Sequence, residues 1–208
     1  MLVTRSLQFS YANGPSFAFP DVVCEKSGHL LVLGESGRGK TTLLHLMCGL
    51  LTATSGEVSI TGTNIGTLRG AALDRFRGKH VGIVFQSAHF VESLSVLDNL
   101  ILPQYLSGSR IDRTYAREVL SRLNLTHKAG VRPGQLSVGE AQRVAIARSV
   151  MNRPALILAD EPTSALDDVN AGEVIKLLEE QARLSGSSLV IVTHDQRLKN
   201  HFAQQVTL

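Results

Sequence analysis

Two stretches of this sequence carry chemistry in their residue types and spacing. The first, Gly34-Glu35-Ser36-Gly37-Arg38-Gly39-Lys40-Thr41-Thr42, fits the pattern G-x-x-x-x-G-K-[ST]. Glycines so spaced let the backbone curl until successive N–H groups converge on phosphate oxygens. Lys40 can reach the outer phosphates of a nucleoside triphosphate, and Thr41 can offer its hydroxyl to Mg²⁺. The second stretch is "LILADE", mostly apolar residues followed by Asp160 and Glu161. A carboxylate ending a buried strand beside such a loop suits the shell of a metal ion, through water, and Asp160 stands there. Glu161, one residue on, is placed to polarise an attacking water as a general base. His194 ends another apolar run, "SLVIVTH", from where it could contact the terminal phosphate and hold the water.

A third feature raises a question. Ser137-Val138-Gly139-Glu140 is an S-x-x-E capping box opening a helix rich in alanine, valine and arginine. Its free N–H groups and positive end favour an anion. Yet the chain already has a stronger phosphate site 97 residues earlier, counting from Lys40 to Ser137.

The elements needed to position these groups are visible in the hydrophobic pattern. "HLLVLG" (29–34), "ALILAD" (155–160) and "SLVIVTH" (188–194) are continuous apolar runs, as expected of strands covered on both faces in a parallel sheet. "TTLLHLMCGLL" follows the glycine loop with helical character and breaks near Gly49. Shorter strand-like pieces, "LVTRSLQFSY", "GEVSITG" and "HVGIVFQ", predict an N-terminal antiparallel sheet and a strand joining the core. From Gln86 to about Arg153 the character is helical: "SVLDNLILPQYL", "DRTYAREVLSRLN" and "GEAQRVAIARSVM". This predicts an α/β core made of residues 1–86 and 154–208, with a helical subdomain, 87–153, inserted in a single domain. No repeat, low-complexity tract or long linker interrupts it.

Composition sets the outer bounds. A chain of 208 residues can bury one sizeable core. Its 43% hydrophobic and 5% aromatic content suits an aliphatic-rich α/β protein. A net charge of +3 is too mild to argue for nucleic acid. The basic residues Arg69, Arg75, Arg77 and Lys79 read as a solvated face, with contact to anionic lipid headgroups the alternative. Cys24 and Cys48 have no metal-ligand spacing and suit a reducing compartment, Cys48 as a small buried hydrophobe. The N-terminus has no signal-peptide pattern, and no apolar run approaches the ~20 residues of a membrane span. Any span must come from another chain.

Taken together, these motifs resemble the nucleotide-binding subunit of an ATP-binding cassette (ABC) protein, over essentially the whole chain. Walker A is "GESGRGKT", the Q-loop glutamine is Gln86 in "IVFQ", and the signature is "LSVGE" (136–140). Walker B is "LILADE", the D-loop is "SALD", with Ser164 and Asp167, and the switch histidine is His194. The resemblance implies a P-loop NTPase (RecA-like) core, ATP with Mg²⁺ as cofactors, and ATP hydrolysis. By it, Tyr11 stacks on adenine, Gln86 joins Thr41 and Asp160 around the metal, and Ser164 and Asp167 communicate between subunits. It also implies that two cassettes, identical or different, pack head to tail. Ser137, Val138, Gly139 and Glu140 would then bind the ATP held by the partner's Walker A, which answers the question of the second anion site. Two departures stand out. Val138 replaces a glycine usual in the signature, which is costless only at negative φ and is expected to lower turnover somewhat. Glu35 and Arg38 stand where Pro and Ser are commonest, at positions that donate backbone groups.

The segment 61–108 is similar to the lipoprotein-release, macrolide-efflux and cell-division cassettes. That resemblance implies a cytoplasmic cassette peripheral to the inner face of the membrane, docked through residues near 87–104 on a permease subunit. Phe90, Val91 and Leu94 are either exposed anchors for that subunit or filling for the helical core. With 14 residues after His194, no appended regulatory domain is expected. The alternatives are a soluble ABC ATPase, disfavoured by the absence of long heptad arms, and a regulatory ATP-binding cassette, disfavoured by the presence of Glu161 and His194.

Overall fold

The computed structural model describes residues 1–208 except Ala165, and Asp168 and Val169 by their backbone alone. The core sheet is parallel, in the order β10 (Gln204–Thr207), β4 (His29–Leu33), β9 (Ser188–Thr193), β8 (Leu156–Asp160) and β7 (Val81–Val84). The uninterrupted apolar runs are explained by what covers them. Leu31, Leu33, Ile157, Ala159, Leu189 and Ile191 face one hydrophobic cluster, and Leu30, Val32, Leu156, Leu158, Val190 and Val192 face another. Each fully buried side chain of this kind contributes roughly 1.5–3 kcal/mol. Alternate residues thus serve opposite faces, and in β4, β8 and β9 polar residues stand only at the strand ends.

One face is covered by helix α1 (Lys40–Met47), through Leu43, Leu44 and Met47, and by the antiparallel sheet. In that second sheet β1 (Leu2–Ser10) pairs with β2 (Ser16–Ala18), β3 (Val22–Cys24) and β5 (Ser55–Ile60), and β5 pairs with β6 (Thr63–Asn64). Tyr11, in the turn between β1 and β2, and Phe17, in β2, reach the glycine loop and the start of α1. The other face receives α3 (Val96–Leu106), α4 (Arg113–Arg122), α5 (Val138–Ser149) and α6 (Asp168–Ser185). These helices and that sheet face share one continuous apolar cluster. Their starts are capped by Ser95, Asp112, Ser137 and Asp167, each accepting a main-chain N–H three residues on. Helix α2 (Gly70–His80) precedes β7.

Strands β1, β4, β5, β7, β8 and β9, helix α1 and the helices between Gln86 and Arg153 lie where the pattern predicts them. The pattern leaves β2, β3, β6, β10, α2 and α6 unread. Phe90 is core filling: it is partly buried against the helical cluster, with the Arg148 guanidinium 4.9 Å from its ring centre. Val91 is exposed and Leu94 half-buried.

Candidate active site

The C-terminal ends of β4 and β8 and the loop after β9 open onto a cleft of about 470 Å³, lined by Ser36, Gly37, Gly39, Lys40, Thr41, Thr42, Gln86, Glu161 and His194 with Pro15 and Phe17. Gly37 and Gly39 have φ of +84° and +86°, a left-handed backbone costly for other residues. A Cβ on Gly39 would also stand 2.7 Å from the Phe17 ring. Glu35 and Arg38 have φ outside that region, so their side chains cost the loop nothing. Lys40 is buried, its Nζ donating to the Glu35 carbonyl at 3.0 Å and lying 3.4 Å from Glu161 Oε1.

Glu161 is held from several sides. It has φ of +48°, a strained value for a residue with a Cβ, costing on the order of 1–2 kcal/mol. The sharp turn is secured by its N–H donating to the Val192 carbonyl at 2.8 Å. It aims the carboxylate at the β9 exit, where Thr193 Oγ1 donates to Oε2 at 2.7 Å and His194 Nδ1 bonds Oε1 at 2.8 Å. The His194 N–H adds contacts at 3.2 and 3.3 Å. Burial pushes this carboxyl up, but the bonds from His194 and Thr193 outweigh it and hold the group below its ordinary value. It is an ionised base beside a histidine and a lysine.

Its neighbour Asp160 has the opposite character. Only 4% exposed, its carboxyl is pushed up by burial, with a hydrogen bond from Thr41 working against the shift. Its Oδ1 is buried without a hydrogen-bond partner. A buried acceptor left unused next to a hydroxyl is a donor set with room for a ligand.

Several participants were not legible in the sequence. Thr193 is one. Another is a buried link in which Thr163 Oγ1 donates to Asp195 Oδ2 at 2.9 Å and Arg197 Nη2 to the same oxygen at 2.6 Å. Phe17, in the cleft wall, is a third. Tyr11, the expected adenine-stacking residue, is 41% exposed; Phe9 and Phe17 pack against it edge-on, and its hydroxyl is 3.1 Å from Thr42 Oγ1. Gln86 donates to Ser164 Oγ at 3.4 Å, joining the two loops that flank the cleft. Ala165, inside the "SALD" stretch, lies outside the described residues; Asp167 caps α6.

Ser137, Val138, Gly139 and Glu140 are absent from the cleft lining and form the start of α5 on a separate surface. Val138 is the first residue of the helix, without positive φ and 71% exposed, so its branched side chain strains nothing within the chain. Around Gly139 a Cβ would meet only Arg143 Nη1, at 3.8 Å. Within this chain the Glu140 carboxylate turns back onto the start of its own helix. The Ser137 N–H donates to it at 2.8 Å and Lys128 Nζ lies at 3.1 Å, holding its pKa at about 2. Its role in this chain is to cap the helix end.

Residues 21–164 match the family model described as ABC transporter. The chain belongs to that family. It is 41% identical over 172 residues to the lipoprotein-releasing system ATP-binding protein LolD of Chromohalobacter salexigens, covering 82% of this chain and 73% of the relative. Its fold matches the ATP-binding cassette MJ0796, a bacterial ABC transporter cassette, at a TM-score of 0.89 and 30% identity, over 100% of this chain and 94% of the other. MJ0796 was solved as a dimer, in one case in a post-hydrolysis state bound to ADP and Pi. A further match is cbiO1 from Clostridium perfringens, part of the ABC transporter complex cbiONQ, at a TM-score of 0.81 and 27% identity, over 93% of this chain and 78% of the other. The cassette is therefore an ATP-binding, ATP-hydrolysing and dimerising subunit of an ABC transporter. Among the described residues no helix is long and apolar enough to cross a membrane.

Proposed function

We propose that this cassette drives a transporter of the lipoprotein-release type, closing on a second cassette around two MgATP and opening after hydrolysis. One observation carries the reading. The chain bears two anion-binding surfaces that do not meet within it: the cleft of Lys40 and Glu161, and the α5 start, where the space around Gly139 is open and nothing in the chain itself requires a glycine. In a head-to-tail pair each α5 start faces the other chain's cleft, and nucleotide phosphates complete both.

The residues divide the work. Backbone N–H groups of residues 36–41 and the Lys40 ammonium hold the phosphates, and the Tyr11–Phe17 wall receives the base. Thr41 and Asp160 fit Mg²⁺: a hydroxyl beside an unpartnered buried carboxylate oxygen is a hard-cation donor set that leaves other positions to water and phosphate. Bound there, Mg²⁺ supplies neutralisation of phosphate charge. Glu161, ionised, takes a proton from the attacking water, and His194, bonded to it, orients the pair. Gln86, touching Ser164, relates this chemistry to the neighbouring subunit.

The permease's place is a groove of about 620 Å³ between α2, β7, α3 and α5, lined among others by Phe85, His89, Leu102, Leu106 and Arg148. Leu106 in its lining is 71% exposed. Arg148 donates to the carbonyls of Ala88 and His89, tying the groove wall to the α5 helix that carries the signature. The complex then lies on the cytoplasmic face of the membrane.

To test this, a tagged Glu161→Gln variant is extracted from its source membranes in mild detergent with MgATP. The expected result is a trapped cassette dimer co-purifying with an integral-membrane subunit. Recovery with soluble proteins only would favour a soluble ABC ATPase.

A further inference from the structure

The loop carrying His194 is also joined to Thr163 and Leu166, beyond the water-activating pair. Asp195 is 8% exposed. Its Oδ2 receives the Thr163 hydroxyl at 2.9 Å and Arg197 Nη2 at 2.6 Å, and its Oδ1 receives Arg197 Nε at 2.8 Å and the Arg197 N–H at 3.0 Å. The guanidinium thus grips the carboxylate with both arms of its fork, a geometry lysine lacks. The same Nη2 reaches the Leu166 carbonyl at 3.5 Å, inside the segment expected to face a second cassette. In the other direction, the Asp195 N–H donates to Thr193 Oγ1 at 3.0 Å, and that hydroxyl donates to Glu161 Oε2 at 2.7 Å. A continuous series of polar contacts therefore runs from Leu166 through Arg197, Asp195 and Thr193 to the carboxylate of Glu161, its longest link the 3.5 Å contact at Leu166. The hydrogen bonds from Arg197 hold the Asp195 carboxyl at about 2 despite its burial, so the grip is ionic at every working pH.

We propose that Arg197 and Asp195 form a clasp that sets the Glu161–His194 pair in register with the Ser164–Asp167 segment, so that hydrolysis responds to where a second cassette holds that segment. Arg197 does not line the cleft. It is a positioning residue, acting on the base through Asp195 and Thr193. The proposal rests on the reading of Glu161 as the base.

The test compares wild type with Arg197→Ala, Arg197→Lys, Asp195→Asn and the double variant Arg197→Ala/Asp195→Asn, using Glu161→Gln as reference. Steady-state hydrolysis is followed against ATP and against cassette concentration, with binding of a fluorescent ATP analogue and melting temperature measured in parallel. Arg197→Ala is expected to lower kcat about tenfold while analogue affinity stays within about twofold. Its per-chain rate should rise less steeply with cassette concentration than that of wild type. Arg197→Lys should fall between the two, and the double variant should be no worse than Arg197→Ala, because the pair acts as a unit. Wild-type turnover in Arg197→Ala would overturn the clasp. So would a loss of turnover that merely tracks lost nucleotide affinity and melting temperature, or additive losses in the double variant. The base assignment fails separately, if Glu161→Gln hydrolyses ATP like wild type.

Discussion

Glu161 concentrates the residue-scale physics of the site. Its left-handed backbone is costly, its burial disfavours charge, and yet bonds from Thr193 and His194 keep it ionised. The sign of the resulting pH dependence is fixed. A base whose pKa is depressed stays functional as the medium acidifies and is lost only when the pH falls through its lowered value. Removing His194 takes away the chief stabiliser of the carboxylate and lets its pKa rise. His194→Ala is therefore expected to cut kcat by about a hundredfold. It should also shift the acidic limb of the residual kcat profile to higher pH, and a pH–rate series on both proteins reads that shift directly. An unmoved limb would mean that another group limits the rate in acid.

At the scale of elements, the start of α5 shows how a local rule would serve the proposed intermolecular site. The reciprocal Ser137–Glu140 capping box is satisfied within the chain and presents the helix end as a finished surface. Val138 at its first position is tolerated because the helical φ suits any residue, so its cost, if any, lies in what docks against the exposed side chain. Val138→Gly is expected to leave nucleotide binding unchanged and to lower stability by no more than about 1 kcal/mol. By relieving crowding at the dimer contact it should raise ATP turnover about fivefold or less, an effect of ~1 kcal/mol on the barrier. Steady-state ATPase and denaturant unfolding check the two parts. Turnover equal to wild type would show that the partner surface accommodates the valine.

For the whole molecule, the proposed assembly makes a linkage between the nucleotide cleft and the groove assigned to the permease. Arg148 ties the groove wall to α5, and α5 meets the nucleotide of a second chain in the proposed dimer. Movement at one end is thereby felt at the other. Placing a charge on the exposed apolar rim should uncouple the two without harming the fold. Leu106→Glu is expected to abolish co-purification with the membrane subunit while leaving melting temperature and ATP binding of the isolated cassette within error. Retained co-purification would place the docking surface elsewhere.

The parts legible in the sequence share a physical origin: their geometry is local. The loop from Gly34 to Thr42 wraps a phosphate with consecutive backbone groups, so glycine spacing alone announces it. Asp160 and Glu161 are announced by the buried strand they terminate, and Ser137 and Glu140 by a cap only three residues long. Continuous apolar runs betray a sheet covered on both faces, because between their polar ends β4, β8 and β9 have no solvent-facing side. What folding alone settles depends on pairs distant in the chain. β10 is short and mostly polar, with Val206 alone packed on the core, and joins β4 through its backbone, so no side-chain pattern marks it. Thr163 and Asp195 lie 32 residues apart and meet only because β8 and β9 are neighbours. Tyr11 is edge-packed and bonded to Thr42 while Phe17 lines the cleft, a division set by how the β1–β2 turn lies over Gly39. Lys128 joins the Ser137 N–H on the Glu140 carboxylate, a partner 12 residues away that the capping motif does not contain. Residue spacing encodes what a backbone segment can hold; topology decides which segments stand close enough to hold it together.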